Sequence, residues 1–198
     1  MANTIDGERR RRELAETVWR LILRGGLPAA SVRGVAEEAG LATGSVRHFF
    51  PSQAELHNFA MLELMATVTE RVRAAAQTPD VRERARAMLE ELLPFTDRTH
   101  AEFAAYLEFL DRSRIDTALE PVASESVRAA RELVVTILTD LRTLGMLRPE
   151  IDVDTEAVRL HAFLDGLMLQ LLVAPDLNSR QQARDALAGW LEALEVKA

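Results

Sequence analysis

The chain has 198 residues, of which 48% are apolar and 28% charged, enough for a buried core in one large domain or in a small helical domain followed by a larger one. It contains no cysteine, which excludes disulfides, thiolate metal sites and cysteine nucleophiles and fits a reducing cytoplasm. The net charge of −7 is unevenly spread: residues 1–50 carry eight arginines against six acids, a local net of +2, so the acidic excess lies behind them.

Apolar residues recur at spacings of three and four along the whole chain and alternation of period two is nowhere sustained, so an all-α fold of about nine helices is predicted. The opening residues are polar and no run of roughly 18 uncharged apolar residues occurs, so neither a signal peptide nor a membrane span is expected, and the protein should be soluble and cytoplasmic. The first helix is predicted over 6–24, with Leu14, Val18, Leu21 and Ile22 on one stripe and Gly25 and Gly26 as its stop. Its arginine run, Arg9 to Arg12, either attracts phosphates or solvates a helix end. Ser31 is placed to cap a short second helix that turns Val32, Val35, Ala36 and Ala39 inward and ends at Gly40, where freedom at positive φ suits a sharp turn. A third helix is predicted over 43–50, stopped by Pro51.

Ser52 and Glu55 have capping-box spacing, with Pro51 and Leu56 as the hydrophobic staple, and start a fourth helix that reaches about residue 76. Thr78 and Pro79 are expected to open the fifth, with proline at its first position, and Pro94 to close it. Further helices are predicted over 97–112, 120–144, 152–173 and 179–196, the longest stopped by Gly145 and Pro149. The two functional halves are expected to meet at the start of helix four, a head over 1–51 and a body over 52–198.

Two short helices joined by a tight glycine turn form the layout that presents one helix to a major groove of double-stranded DNA. The segment Ser31-Val32-Arg33-Gly34-Val35-Ala36-Glu37-Glu38-Ala39-Gly40-Leu41, with Gly44-Ser45-Val46, Phe49-Phe50-Pro51-Ser52 and Glu55-Leu56, resembles the DNA-binding motif of the TetR family of transcriptional regulators. The resemblance implies a three-helix helix-turn-helix head and a C-terminal bundle for ligand binding and dimerisation. It also implies a repressor that binds a palindromic operator as a homodimer and is released by a small-molecule effector. Four positions depart from the family pattern. Ala42 stands for the usual Ser, with Thr43 the candidate to replace its cap; Arg47 stands for Tyr, Phe49 for Tyr or His, and Gln53 for Lys. Arg47 can bond a guanine edge bidentately or a phosphate, and Gln53 at a helix start can meet a phosphate without a full charge. The DNA candidates are Arg33, Thr43, Ser45, Arg47, His48 and Gln53, with His48 and Arg47 otherwise packing and solvating.

In the last two helices Leu160, Leu164, Leu167, Met168, Leu171, Leu187, Trp190, Leu191 and Leu194 form more apolar surface than one protomer is expected to cover, which makes them candidates for a twofold four-helix interface, with Gly166 allowing close approach. Candidates for an effector pocket are Met61, Met65, Met88, Leu92, Phe95, Phe103, Tyr106, Phe109, Ile137, His161 and Asp165, beside Phe59 and Leu138; each apolar one among them also reads as ordinary core. Leu92-Leu93-Pro94-Phe95 and Phe163-Leu164-Asp165-Gly166-Leu167 resemble the body of the betaine-synthesis-repressor type, whose effectors are diverse.

Neither an enzyme nor a metal centre is expected. The residues three before His48, His57, His100 and His161 are Ser45, Ala54, Asp97 and Val158, so no Glu-x-x-His di-iron pattern exists, and there is no H-E-x-x-H, G-x-S-x-G or phosphate loop. No cofactor is implied. The competing reading is a helical ligand-binding or adaptor protein whose head has lost its grip on DNA.

Overall fold

A computed structural model describes residues 2–196, and the side chains of residue 10 and of 13–196; the expectation placed on Arg9, Arg11 and Arg12 lies outside the described residues. Among the described residues there are nine α-helices and one isolated bridge, as the periodicity predicts. They are α1 Ala2–Ala29, α2 Val32–Glu38, α3 Thr43–Phe49, α4 Gln53–Ala75, α5 Val81–Glu90, α6 Asp97–Ser113, α7 Glu120–Thr143, α8 Val153–Val173 and α9 Arg180–Leu194. No described helix is long and apolar enough to cross a membrane.

Packing divides the chain into two compact units. The first comprises Met1–Ala66 and Ala101–Ser124, the second Thr67–His100 and Glu125–Ala198. Packing thus groups residues 1–51 with the first part of α4, most of α6 and the start of α7, a different division from the boundary at 51/52 expected from the sequence.

In the first unit, Leu14, Val18, Leu21 and Ile22 of α1 are buried, as their spacing predicts, together with Val32, Val35, Ala36, Val46, Phe50 and Leu56. Ala39, expected inward, is half-buried. The Phe50 ring meets Phe59 at 4.9 Å between centroids. α1 is broken where Gly25 and Gly26 stand: Gly26 takes φ 71° and ψ −176°, outside what a side chain tolerates. Past the break, the Leu27 N–H donates to the Glu108 carboxylate of α6 at 2.7 Å, and a Cβ on Gly26 would lie 2.9 Å from an oxygen of that carboxylate. Glu108 therefore does for the restarted turn what an N-cap does, from 81 residues away.

The second unit is stitched by caps and ion pairs. Asp152 caps α8 through the Thr155 N–H, which holds the Asp152 carboxyl below the usual range, and Ser179 with Gln182 makes a full capping box on α9. Arg184 lies over the Phe95 ring at 4.3 Å and reaches Glu90 at 3.5 Å. Buried Glu156 accepts from the Trp190 indole at 2.8 Å, tying α8 to α9, and Trp190 stacks on Phe163.

Three expectations need correction. Pro79 does not open α5: Asp80 is its cap, accepting from the Glu83 N–H at 2.9 Å, and a side-chain oxygen at that position satisfies a helix-end donor that proline leaves unmet. α9 ends at Leu194 because Glu195 and Val196 turn extended and pair with the segment at Met146–Arg148. Finally, the residues expected at a subunit interface lie inside the protomer: Leu160, Leu164, Leu167, Met168, Leu171, Leu187, Leu191 and Leu194 are buried within it and Trp190 is half-buried. The helices leave a different stripe open, Val158, Ala162, Leu169 and Val173 on α8 with Ala186, Gly189 and Ala193 on α9.

Candidate nucleic-acid interface

The exposed side of α3 is made by subtraction. Val46 is fully buried and Phe49 half-buried, which anchors one side of a seven-residue helix, and Thr43, Gly44, Ser45, Arg47 and His48 remain on the open side. α2 holds the base of this arrangement, with Ser31 accepting from the Gly34 N–H at 2.9 Å. The sharp link to α3 is Gly40 at φ 64°. The start of α3 differs from expectation: Ala42 is the N-cap residue with no side-chain cap, and Thr43 is the first helical residue instead of the replacement cap. The Thr43 side chain is exposed.

Charge sharpens the picture. Arg33 at the start of α2 pairs with Glu37 at 2.8 Å, and Arg24 of α1 pairs with Glu38 at 2.8 Å, which holds the Glu38 carboxyl below the usual carboxylate range. Arg20 lies 3.7 Å from Glu38 as well. Arg47, by contrast, meets no carboxylate among the described residues. A cation kept free on an exposed helix end is the feature best suited to a phosphate or a guanine edge. The His48 ring touches Phe49 edge-on at 5.4 Å and stays exposed, so it does not pack into the core.

Gln53 behaves differently from the other five candidates. Its amide oxygen accepts from the Val32 N–H at 3.1 Å, and its nitrogen donates to the Ala30 carbonyl at 2.7 Å and contacts His57 Nε2 at 2.6 Å. Both amide hydrogens are engaged inside the protein, leaving none for a phosphate. Nothing in the sequence pattern marked His57, which is buried; a histidine one turn behind Gln53 on the same face was the available signal.

The effector candidates divide between the units. Met61, Phe103 and Phe109 are buried and Met65 and Tyr106 half-buried in the first; Phe95, Ile137 and His161 are buried and Met88 and Leu92 half-buried in the second, where Asp165 is exposed. His161 Nδ1 accepts from Arg131 at 3.0 Å and its Nε2 lies 3.7 Å from Asp165. Burial pushes this imidazole below the usual histidine range and Arg131 adds to it, while Asp165 pulls the other way. A cleft of about 270 Å³ in the second unit, lined by Asp80, Arg82, Arg86, Leu141, Leu191 and Glu195 among others, includes none of the effector candidates.

A family model for the C-terminal region of BetI-type transcriptional repressors matches residues 79–195. The HTH-type transcriptional regulator PksA of Bacillus subtilis is 30% identical over 198 residues, covering all of this chain and 95% of that protein. Among solved structures, a transcriptional regulator from Rhodococcus is similar with a TM-score of 0.77 at 26% identity, covering 92% of this chain and 94% of that one. A regulator from Saccharomonospora viridis, solved in complex with choline, has the same fold with a TM-score of 0.85 at 24% identity, covering 96% of this chain and all of that one.

Proposed function

From the premise that the chain belongs to the TetR family of transcriptional regulators, we propose that it is a repressor which binds a palindromic operator as a homodimer and leaves it when a small-molecule effector binds. Residues 1–51 act as the DNA-binding domain and 52–198 as the effector-binding and dimerisation domain, in a cytoplasmic protein without catalytic activity. The observation that carries the reading is the open side of α3, where Arg47 and His48 stand exposed beside Thr43 and Ser45 on a helix anchored by buried Val46. Arg33 at the start of α2 is exposed as well.

Dimerisation follows from the demand of a palindrome, since two recognition helices must enter grooves about 34 Å apart or a multiple of that. The stripe Val158, Ala162, Leu169 and Val173 recurs at helical spacing and is left open by the protomer, and Gly166 beside it has open space where a Cβ would point. These residues, and not the leucines buried behind them, supply the pairing surface. An effector acts by preferring one separation of the heads, with a coupling of typically about 1–3 kcal/mol.

A gel shift of the full-length protein on the DNA upstream of its own gene, titrated with salt, tests the reading. A sequence-preferring complex that survives about 150 mM salt is expected. Retention only at very low salt, without sequence preference, would instead make the protein a helical ligand-binding or adaptor protein with a degenerate head.

A further inference from the structure

The polar contacts behind the reading head were not part of any motif, yet they join three segments. The Ala30–Val32 turn is where α2 starts, and both its Ala30 carbonyl and its Val32 N–H are held by the amide of Gln53, the first residue of α4. The second hydrogen of the Gln53 amide points at His57 Nε2, 2.6 Å away. Rotating the amide end over end would set its nitrogen against the Val32 N–H and its oxygen against the Ala30 carbonyl, so only one orientation satisfies the turn. A hydrogen bond at 2.6 Å then needs His57 Nε2 to be a bare acceptor, because the other neutral tautomer, in which Nε2 donates to the Ala30 carbonyl 3.2 Å away, would set two N–H groups against each other. The ring proton then sits on Nδ1, which is buried with no hydrogen-bond partner among the described residues.

We propose that Gln53 and His57 are positioning residues that clip the start of α2 to α4 without touching DNA, and that the clip holds only while His57 is neutral. The proposal rests on the DNA-binding reading above. A proton on Nε2 would turn the acceptor into a donor. Two N–H groups would then meet head-on 2.6 Å apart, with the imidazole drawn toward the Ala30 carbonyl that the amide already uses, 3.2 Å from Nε2. Either the Gln53 amide or the imidazole must let go, and α2 loses the contact that sets its angle on α4. Because α3 follows α2 through a tight turn at Gly40, the recognition side chains move with it. Operator affinity should therefore fall in acid.

The surroundings favour the neutral ring. Burial is the largest influence, lowering the affinity of His57 for a proton; from the α1–α2 segment only the Ala30 and Leu27 carbonyls act on it, favouring the charged form. Of the charged groups facing it, Arg112 of α6 disfavours the proton and Asp116, just beyond α6, favours it. Gln53, its neighbour on α4, is uncharged.

The test measures the affinity of the full-length protein for a labelled duplex from upstream of its own gene by fluorescence anisotropy, from pH 7.5 to 5.0, for the wild type and for His57→Gln. Glutamine keeps an acceptor near the Nε2 position and does not titrate. The wild type should lose roughly tenfold more affinity than the variant over this range, one linked proton giving at most a factor of ten per pH unit. His48 is present in both proteins and cancels from the ratio. Parallel profiles would overturn the proposal. The imidazole nitrogen-15 resonances of the free wild-type protein give a second reading that needs neither variant nor DNA. At pH 7.5 His57 should show a proton on Nδ1 and a bare Nε2, and the Val32 amide should lose exchange protection as His57 titrates. A protonated Nε2 at pH 7.5, or protection at Val32 indifferent to titration, would sink the clip. A wild-type protein that binds no duplex at pH 7.5 would count against the regulator reading alone, leaving the resonances to decide the clip.

Discussion

In the first compact unit the residues proposed to meet DNA stand outside the packed core, on the open side of α3, whereas in the second the leucines expected to make the subunit interface lie inside it. Leu160 and Leu187 are completely buried, while Leu169 and Val173 on the same helical pair are 48% and 65% exposed. The difference teaches that a motif with its own turn announces what it exposes. An apolar helix announces only that it has something to bury. Substitutions at the two kinds of site should therefore fail in different ways.

The largest expected effect sets Leu164 against Leu169. Leu164→Ala removes a side chain buried in the protomer core and should cost about 2–5 kcal/mol of folding stability, read as a lower urea midpoint. Leu169→Arg adds a charge on the open stripe and should leave the protomer folded while shifting the particle to half its mass in light scattering. If Leu169→Arg stays dimeric and Leu164→Ala becomes a folded monomer, the pairing surface is the one first expected from the sequence, and the contrast between the units disappears.

Next in size is the break in α1. Gly26→Ala forces a side chain into φ 71° and ψ −176° and brings its Cβ within 2.9 Å of the Glu108 carboxylate that caps the following turn. A loss of about 1–3 kcal/mol is expected. The loss should be concentrated in the first unit, seen as faster amide exchange at Leu27 with little change in α8. Uniform acceleration across both units would mean that they unfold as one.

On the open side of α3, Arg47→Ala should weaken cognate DNA binding by about 1–3 kcal/mol and leave folding stability nearly unchanged, since the side chain is exposed and holds no carboxylate among the described residues. Equal losses on cognate and random duplexes would make Arg47 a phosphate contact and move sequence reading to Ser45 and His48.

These cases also show how far the sequence could be read. The all-helical fold, the Ser31 cap, the helix starts near Asp152 and Ser179 and the outward set on α3 are decided within a few residues of themselves, by propensity, turn chemistry and spacing. Gln53 was legible as the start of α4 but not as a clip, because its partners Ala30 and Val32 lie more than twenty residues earlier. Glu108 gave no local signal at all, its partner being the Leu27 N–H. In α8 large apolar residues stand both on the stripe that faces the protomer core and on the stripe that faces out, so composition does not distinguish them; only the placement of neighbouring helices separates Leu164 from Leu169.

The smallest expected effect concerns a buried imidazole in the second unit and gives that unit its own acid response. His161 accepts from Arg131 through Nδ1, so its proton sits on Nε2, facing Asp165. A second proton would have to go onto the nitrogen that Arg131 already occupies, in a buried setting that holds the group below the usual histidine range near 6.5. Above that value folded and unfolded chains both carry a neutral ring, and stability is unaffected. As pH falls below it the unfolded ring takes up a proton that the folded ring refuses, so stability is lost progressively until the folded value is passed. Asp165 limits the loss by favouring the charged form. His161→Gln should remove this part of the acid response, measured as a smaller fall in the urea midpoint between pH 7.5 and 5.5 than in the wild type. The pH dependence of DNA binding carried by His57 should remain. If His161→Gln also flattened the DNA-binding profile, the acid response would belong to the protein as a whole and not to the clip at the head.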